Sequence, residues 1–525
     1  NPNYAEAYYN RGNVLSELHN LEEAINSYDK AIKIKPNHFE AYNNRGNAFI
    51  KLGRTKLAAE SYEEAIKIKP DLEFLLGSIL HTKQSMCNWE SYEKNLKILI
   101  QKIIDGHKVS PPFYTLSFTD SLKLQRISAE IWVKDKFPAA NILKSIQKKS
   151  SNKKIRIGYY SADFHNHVMS HLLVNLFELH DKSTFEIFGF SFGPEKNDEI
   201  RLRISNAFDK FINVKFKSDS EIVRLSRDLN IDIAIDLMCF TQHNRFGIFV
   251  EKCAPIQINF LGYPGTSGSK CIDYILADKI IIPEKFKKYY SEKIIYMPDS
   301  YKLDHPTRKI SDKIFTREEL GLPKNGFVFC CFNQTYKILP KIFDAWMRIL
   351  KRIKGSVLWL YEADEIASKN LKQEAINRGV DSNRIIFAKR LPSLEEHLER
   401  YKSADLFLDT FPWPAHTTCS DSLRNGLPVL TLQGESFASR VSSSMVEVAG
   451  LKELITHSFK EYEDMAVELA SDLSRLKNIK KKLETNKDKS PLFDTKLLTS
   501  HIEQAYLEMY KKYNESKKPE NIEIK

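Results

Sequence analysis

The sequence has no long hydrophobic run. Although 42% of its 525 residues are apolar, no stretch approaches the ~20 consecutive apolar residues that a membrane-spanning helix needs. The chain begins Asn-Pro-Asn and shows no charged segment followed by an apolar one, the pattern of a secretory signal. We therefore expect a protein without a membrane span.

Paired cysteines are also missing. The seven cysteines are odd in number, scattered and mostly set among apolar neighbours, and no two of them form a C-x-x-C motif. This pattern argues against a disulfide framework or a zinc site and favours buried free thiols in a reducing compartment. We expect a cytoplasmic protein.

Concentrated positive charge is lacking, despite a formal net charge of +11. Nucleic-acid binding needs clustered cations. The basic runs at 148–154, 285–288 and 480–482 instead lie in polar linkers or on helices of mixed charge. We interpret them as solvated surface and expect no nucleic-acid partner.

Residues 3–36 and 37–70 are two copies of one 34-residue unit. They are identical at 18 positions, which include Gly12 and Gly46, and a proline closes each unit. This period, with small residues where two helices cross, is typical of the tetratricopeptide repeat. Because about three repeats are needed to bury a continuous core, we expect further repeats upstream or support from the segment that follows. The sequence predicts all-α repeats over 1–70 and a helical connector over 71–137.

From residue 154 onward, short β-branched runs alternate with amphipathic segments, the rhythm of parallel sheets covered by helices on both faces. The predicted strands form two series, 155–160, 186–190, 231–237, 256–260 and 274–277, then 327–332, 356–360, 385–387, 405–408 and 428–431. Two series predict two doubly wound, Rossmann-like lobes, over 138–315 and 316–515, followed by a polar tail at 516–525. Ligands of such sheets bind at the carboxyl ends of the strands.

The loops at these positions in the second lobe are polar. The segment after the 327–332 strand ends in Lys337 and leads into a helix, and a lysine at a helix N-terminus makes a good phosphate site. After the 405–408 strand, His416, Thr417 and Thr418 precede a helix predicted to start near Cys419, with Asp421 in its first turn. The alternative is that the threonines are N-caps and the lysine a surface charge.

In the first lobe, the 155–160 strand runs into Asp163, His165 and His167, with His171 four residues further on. No cysteine or further carboxylate cluster completes a tetrahedral set, so a metal site is disfavoured. A histidine at a strand end suits a general base, since its usual pKa of ~6.5 lies near neutrality. We expect His171 to be a buried helix residue. The glycine-rich loop 262–268 fits either backbone contacts to a ligand or a tight turn.

Five segments together resemble the O-linked N-acetylglucosamine transferase family, including its bacterial SPINDLY-like members. They are DFHNH at 163–167, APIQINFLGYPGTSG at 254–268, FNQTYK at 332–337, AHTT at 415–418 and GESFASRV at 434–441. The resemblance implies a GT-B fold of two lobes behind tetratricopeptide repeats. It also implies an inverting, metal-independent glycosyltransferase without a resident cofactor, which transfers N-acetylglucosamine from UDP-GlcNAc to Ser or Thr hydroxyls of proteins bound by the repeats.

The resemblance also implies roles for individual residues. His167 matches a histidine of the active-site crevice, and Lys337 is expected to stabilise the leaving phosphate. The implied donor-binding residues are Gln334, Lys337, His397, Arg400, His416, Thr417, Thr418 and Asp421. The sequence departs from the family at Asp232, where a second histidine is usual, and at Cys239-Phe240, where Gly-Tyr is usual.

Two alternatives remain open from the sequence. The plant SPINDLY branch transfers fucose from GDP-fucose, but its Gly-Thr-Thr-Thr and His-Asn-Val differ from residues 415–418 and 439–441 here. A repeat-bearing adaptor that binds nucleotide without turnover would be expected to lose some of Gln334, Lys337 and His416. The proton acceptor for the attacking hydroxyl is also open among His167, Asp163 and a donor phosphate oxygen.

Overall fold

The computed structural model of the chain describes residues 4–138, 146, 153–302, 309–487 and 489–525. Its amino-terminal part is built from two helix-turn-helix units. Their helices are α1 (Ala5–Glu17), α2 (Leu21–Ile34), α3 (Phe39–Lys51) and α4 (Thr55–Ile68). A Cβ on Gly12 would lie 2.5 Å from a ring carbon of Tyr28, and Gly46 meets Tyr62 in the same way. Glycine therefore recurs in both repeats because it lets the two helices of each unit approach.

Four further helices connect the repeats to the rest of the chain: α5 (Leu75–Ser85), α6 (Tyr92–Ile104), α7 (Pro112–Phe118) and α8 (Leu122–Lys136). The end of α5 is bonded to the carboxyl-terminal lobe. Thr335 Oγ1 donates to the Ser85 carbonyl oxygen at 2.6 Å, and Asn370 Nδ2 donates to that of Met86 at 2.9 Å. The connector thus packs directly against the α/β region.

The first lobe is a parallel sheet with the order β14-β7-β6-β5-β4-β1-β2-β3. Its strands are β1 (Ile155–Ser161), β2 (Phe185–Ser191), β3 (Lys210–Asn213), β4 (Ile233–Asp236), β5 (Ile256–Asn259), β6 (Tyr274–Asp278), β7 (Lys293–Met297) and β14 (Ile522–Glu523). The helices between them are α9 (Val168–Leu179), α10 (Glu199–Ala207), α11 (Asp219–Asp228) and α12 (Gly247–Val250).

The second lobe is a parallel sheet with the order β10-β9-β8-β11-β12-β13. Its strands are β8 (Val328–Cys331), β9 (Val357–Tyr361), β10 (Ile385–Ala388), β11 (Leu406–Leu408), β12 (Val429–Leu432) and β13 (Ile455–Thr456). The remaining helices are α13 (Pro340–Arg352), α14 (Glu365–Asn377), α15 (Leu394–Glu399), α16 (Thr417–Arg424), α17 (Phe437–Val448), α18 (Phe459–Ser471), α19 (Leu473–Lys487) and α20 (Thr495–Asn514). The predicted GT-B pair of lobes behind repeats is confirmed, and all ten predicted strands are present within two residues of their predicted ends.

The carboxyl terminus differs from the prediction. The segment 516–525, predicted as a polar tail, contains β14, which pairs with β7 so that Ile522 lies opposite Ile295. Ile522 and Ile524 are both buried. The preceding helix α20 also returns to the first lobe, where the hydroxyl oxygens of Tyr506 and Tyr159 lie 2.9 Å apart. Two alternating isoleucines after a run of charged residues were too short a signal to predict this strand.

Candidate functional site

The polar loops of the second lobe meet at the carboxyl ends of β8 and β11. Thr335, Tyr336 and Lys337 form one turn of 3-10 helix, and α13 begins only at Pro340. Lys337 therefore precedes the α-helix instead of opening it, which corrects the predicted placement. Gln334, at the start of the turn, is exposed.

Lys337 is buried, with 9% of its surface exposed. Its Nζ donates to the Pro414 carbonyl oxygen at 2.9 Å and lies 5.2 Å from the centre of the Trp413 ring. Burial lowers the pKa of Lys337 to about 8, and the Asp409 carboxylate partly opposes this by favouring the charged form. At neutral pH the site therefore holds a largely protonated ammonium in a desolvated position. The alternative of a solvent-exposed surface charge is wrong.

A hydrogen-bonded hub centred on Asp409 supports this crevice. Its Oδ1 accepts from the backbone N–H groups of Thr410 (2.9 Å) and Ala415 (2.6 Å), and its Oδ2 accepts from Thr431 Oγ1 at 2.9 Å. Asn333 Nδ2 donates to Asp409 Oδ1 at 3.2 Å and to Thr410 Oγ1 at 2.8 Å. The side chain of Asp409 thus holds the loop that leads to His416.

Sequence reasoning assigned no role to Asp409 or to Asn333. Their position in the sequence could have indicated a role, because a carboxylate and an amide each directly follow a predicted buried strand. An ionised group buried there needs several hydrogen-bond donors. Asp409 is fully buried, and burial raises the pKa of its carboxyl group.

The segment at 415–418 opens helix α16, which begins at Thr417 and not near Cys419. Neither threonine is the N-cap: His416 occupies that position, and its side chain makes no capping hydrogen bond. The N–H groups of the first turn therefore have no side-chain cap, and they form a favourable site for an anion. Asp421 is buried and, because the helix starts earlier than predicted, lies beyond its first turn.

His416 and Thr418 are held by neighbours on both sides. His416 Nε2 lies 3.3 Å from the Ala438 carbonyl oxygen of α17, so this nitrogen carries the proton and donates. Burial lowers the pKa of His416 well below its usual value, and the charges of Lys337 and Lys302 lower it further. Thr418 Oγ1 donates to Asn333 Oδ1 at 2.5 Å. The imidazole is therefore a neutral donor or acceptor at the crevice.

The structure places His397 and Arg400 behind the crevice. Arg400 is 1% exposed, its Nη1 donates to the Lys389 carbonyl oxygen at 2.6 Å, and its guanidinium lies 4.8 Å from the Phe332 ring centre. Its Nη2 lies 2.5 Å from Nδ1 of His397, which is half-buried. Arg400 thus orients His397 and supports the strand end that carries Phe332.

The histidines of the first lobe gather at the carboxyl end of β1. His167 is the N-cap of α9, and its Nδ1 accepts from the Met169 N–H at 3.3 Å and lies 3.4 Å from Asp163 Oδ2. Burial lowers the pKa of His167 and raises that of Asp163 to about 6. Both groups can therefore accept a proton near neutral pH, and the geometry leaves the choice open.

His165 and His171 differ from each other in burial. His165 is 9% exposed, and its Nδ1 is buried without a hydrogen-bond partner. His171 lies on α9 as predicted, but it is partly exposed and its Nε2 lies 2.9 Å from Asn166 Oδ1, so the prediction of a buried residue is wrong. His171 lies in the first turn of α9, where Val168 is also exposed.

The glycine-rich loop after β5 is held in place by hydrogen bonds to neighbouring residues of the first lobe. A Cβ on Gly262 would collide with the Leu237 carbonyl oxygen. Asn259 Nδ2 donates to the Gly265 carbonyl oxygen at 3.2 Å, and the Ser267 N–H donates to Glu292 Oε1 at 2.6 Å. Close packing therefore explains these glycines, and the Ser267 N–H already has a carboxylate acceptor.

Within the described part of the chain, no group of three or more His, Cys, Asp or Glu side chains is arranged to hold a metal ion. None of the helices found there is long and apolar enough to cross a membrane.

Comparison with known proteins gave consistent matches. The profile of glycosyl transferase family 41 matches residues 86–311 and 306–502, and tetratricopeptide-repeat profiles match 12–53 and 39–72. A probable UDP-N-acetylglucosamine--peptide N-acetylglucosaminyltransferase SEC from Arabidopsis thaliana is 32% identical over 467 residues, which are 85% of this chain and 48% of that protein. The corresponding SPINDLY protein from Petunia hybrida is 28% identical over 373 residues, 70% of this chain and 40% of its own. The chain therefore spans about half the length, or less, of these curated relatives.

A solved structure shares the whole architecture. It is a mutant O-GlcNAc transferase from Thermobaculum terrenum, 24% identical, with a TM-score of 0.80 over 98% of both chains. At this identity the likeness concerns the fold alone.

Proposed function

The chain belongs to glycosyl transferase family 41, and we propose that it transfers N-acetylglucosamine from UDP-N-acetylglucosamine to Ser or Thr hydroxyls of proteins. The reaction proposed is inverting and needs no metal ion. The names of the Arabidopsis and Petunia relatives, which specify a UDP-N-acetylglucosamine donor and a peptide acceptor, support this donor and acceptor class.

The observation that carries the proposal is the convergence of Lys337 with the start of α16. A buried ammonium, the uncapped N–H groups of α16 and the Thr418 hydroxyl all lie at one edge of the second sheet. Each of these groups favours negative charge at the same place, as a diphosphate requires. Gln334, exposed at the start of the Lys337 turn, is placed to reach the same ligand.

The proposed step is a displacement at the anomeric carbon of the sugar. The acceptor hydroxyl oxygen forms the new bond to that carbon, the bond to the β-phosphate oxygen breaks, and UDP leaves with the electron pair. The hydroxyl proton passes to His167, Asp163 or a phosphate oxygen. Lys337 and the α16 N–H groups stabilise the charge that develops on the β-phosphate, a task that metal ions perform in other enzymes.

His416, Asp421 and His397 complete the proposed donor site. His416 is neutral and held by α17, so it serves as a hydrogen-bonding group beside the diphosphate. We propose that Asp421, on α16, accepts a hydrogen bond from a ribose hydroxyl. His397, oriented by Arg400, is proposed to form a hydrogen bond with the base. In each case the second lobe supplies the nucleotide contacts, while His167 and Asp163 come from the first.

Titration calorimetry with UDP and GDP, in EDTA and in Mg²⁺, tests the donor class. We expect tighter binding of UDP and no change when EDTA replaces Mg²⁺. Tighter binding of GDP would favour the fucose-transferring alternative, and binding that depends on Mg²⁺ would contradict a metal-independent site. Mass spectrometry of a mixed-protein acceptor incubated with UDP-GlcNAc then separates an enzyme from a nucleotide-binding adaptor.

We further propose that the repeats recruit acceptor proteins. Deleting residues 1–70 removes both repeats but keeps α5, whose Ser85 carbonyl is bonded to Thr335 in the turn that carries Lys337. We expect this deletion to reduce transfer to whole proteins more than hydrolysis of the donor. An equal loss of both activities, in a variant with an unchanged circular dichroism spectrum, would contradict the recruiting role.

We propose that the protein is located in the reducing environment of the cytoplasm. All seven cysteines are free and six are buried, as expected for structural thiols in such an environment.

A further inference from the structure

The last residues of strands β4 and β5 form a buried polar pair at the carboxyl edge of the first sheet. Asp236 and Asn259 lie opposite each other in the register of the two strands, and 2% and 1% of their surfaces are exposed. Side chains of residues that are opposite each other on neighbouring strands project from the same face of a sheet. The carboxyl group and the amide group are therefore neighbours inside the first lobe.

Each side chain uses one polar atom to hold the loop that follows its strand. Asp236 Oδ1 accepts from the backbone N–H groups of Met238 and Cys239, both at 2.9 Å. Asn259 Nδ2 donates to the Gly265 carbonyl oxygen at 3.2 Å. The other two atoms, Asp236 Oδ2 and Asn259 Oδ1, are buried and have no hydrogen-bond partner among the described residues. Two buried acceptor oxygens without a donor are costly.

Turning the Asn259 amide does not remove this conflict. If its nitrogen donated to Asp236 Oδ2, its oxygen would face the Gly265 carbonyl oxygen, which is also an acceptor. In both orientations, one pair of acceptors has no hydrogen between them. A proton on Asp236 satisfies all of these atoms, because Oδ2 then donates to Asn259 Oδ1 while Nδ2 keeps its bond to Gly265.

We infer that Asp236 keeps a proton and donates a hydrogen bond from Oδ2 to Asn259 Oδ1. Each of the two residues holds the loop that follows its strand, so one neutral carboxyl group links the two loops. An ionised carboxylate would instead repel the amide oxygen and break this bond. Asp236 is thereby a positioning residue whose effect depends on pH.

The loop after β4 contacts the strand end that carries a candidate proton acceptor of the proposed reaction. Ser161 Oγ donates to Met238 Sδ at 3.4 Å and accepts from the Asp163 N–H at 2.9 Å. The glycine-rich loop packs on the same segment, where a Cβ on Gly262 would lie 2.0 Å from the Leu237 carbonyl oxygen. A change in the bond between the carboxyl and the amide is therefore transmitted to Asp163, and its effect on turnover rests on the proposed function.

The surroundings of Asp236 favour its neutral form. Burial raises the pKa of Asp236 to about 6, the backbone N–H donors partly oppose this, and the bond to Asn259 favours the protonated form further. The neighbouring ionisable groups are buried thiols and one phenol, those of Cys239, Cys253, Cys271 and Tyr160. Burial raises the pKa of all four, so they stay neutral up to about pH 8. Glu292, next to β7, is the carboxylate that contacts the glycine-rich loop, where it accepts from the Ser267 N–H at 2.6 Å.

Thermal unfolding of Asp236→Asn and the wild type, from about pH 4 to about pH 8, tests the inference. At every pH the asparagine supplies an N–H donor toward Asn259 and an oxygen that accepts from the loop, so it copies the protonated carboxyl. The folded carboxyl binds its proton more tightly than an unfolded aspartate, whose pKa is ~3.9. The wild type should therefore lose stability relative to the variant as the pH rises from ~3.9 through the folded pKa, and no more above it.

We expect the two proteins to melt at similar temperatures near pH 4 and Asp236→Asn to melt at the higher temperature near pH 8. A variant that melts below the wild type near pH 8, or a difference that does not change with pH, would overturn the inference. A variant that does not fold would also overturn it, because the inference requires the amide to replace the carboxyl group.

Three further variants identify the bond. The matched control, Asp228→Asn, changes an exposed carboxylate at the end of α11 and should follow the wild type at each pH. Asp236→Leu removes donor and acceptor and should be less stable than Asp236→Asn throughout; equal stability would contradict a hydrogen bond. In an Asn259→Ala background, the stability difference between Asp236→Asn and Asp236 should develop at lower pH, since the acceptor of the proton is gone. An unmoved midpoint would assign that proton to water and overturn the pairing with Asn259.

Turnover with UDP-GlcNAc separates this inference from the proposed function. Asp236→Asn should keep a larger fraction of its pH 6 rate at pH 8 than the wild type does, because its loops stay linked. Equal fractions would contradict the positioning role. A wild-type chain without transferase activity would overturn the proposed function, whereas the unfolding results would still decide whether Asp236 keeps its proton.

Discussion

Replacing Lys337 by methionine removes the buried ammonium and keeps most of the side-chain volume. In the proposed reaction this group faces the charge that develops on the leaving phosphate. Losing one such preorganised donor typically lowers turnover by a factor of roughly 10²–10³. We therefore expect Lys337→Met to lose that much activity at saturating donor.

The same substitution has an opposite effect on stability. The pKa of Lys337 is about 8 in the folded chain, against ~10.4 for an unfolded lysine, and the difference corresponds to about 3 kcal/mol of unfavourable free energy. Because the folded state binds this proton less tightly, the cost is full below pH 8 and disappears as the pH rises through ~10.4. The lost hydrogen bond to the Pro414 carbonyl subtracts about 1 kcal/mol. Lys337→Met should therefore be about 2 kcal/mol more stable than the wild type at pH 7 and slightly less stable above pH ~10.4.

Turnover at saturating UDP-GlcNAc and urea unfolding at several pH values measure the two effects. Lys341→Met, an exposed lysine of α13, is the matched control and should change neither. Lys337→Arg keeps the charge without the compact geometry and should be partly active. Activity of Lys337→Met within a few-fold of the wild type would refute the role in leaving-group stabilisation. A stability difference independent of pH would refute the depressed pKa.

Three further predictions concern the hub, the repeats and the proton acceptor. Asp409→Asn retains an amide oxygen for the backbone donors but removes the negative charge that raises the pKa of Lys337. The alkaline limb of the pH–rate profile should therefore move below pH 8. An unmoved limb would show that Asp409 does not influence the titration of Lys337. Gly46→Ala should destabilise the repeats by about 1–3 kcal/mol through overlap with the Tyr62 ring, and an unchanged melting temperature would contradict this close approach. The rate should fall below pH 6 as Asp163 is protonated, and an acidic limb that survives in Asp163→Asn belongs to another group.

The sequence alone determined the local units of this protein. The repeats were predicted because every contact between the helices of a unit, such as that between Gly46 and Tyr62, joins residues close in the chain and recurs after 34 positions. The ten predicted strands were recognised because buried parallel strands are short apolar runs bounded by polar loops. The same alternation placed Lys337 and Thr418 at strand ends, so the crevice could be expected.

Tertiary structure decided what depends on partners distant in the chain. Asp409 is hydrogen-bonded to Asn333, 76 residues away, and Ser444 to Ser300, 144 residues away, and such contacts leave no periodic pattern in the sequence. The strand that contains Ile522 pairs with β7, where the residue opposite Ile522 is Ile295, 227 positions earlier in the chain. Helix α16 begins at Thr417 and not near Cys419, as predicted, for the same reason. Its first helical residue depends on how Asp409 holds the preceding loop. Periodicity records which face of an element is buried, whereas the identity of the neighbour that buries it is set only when the lobes pack.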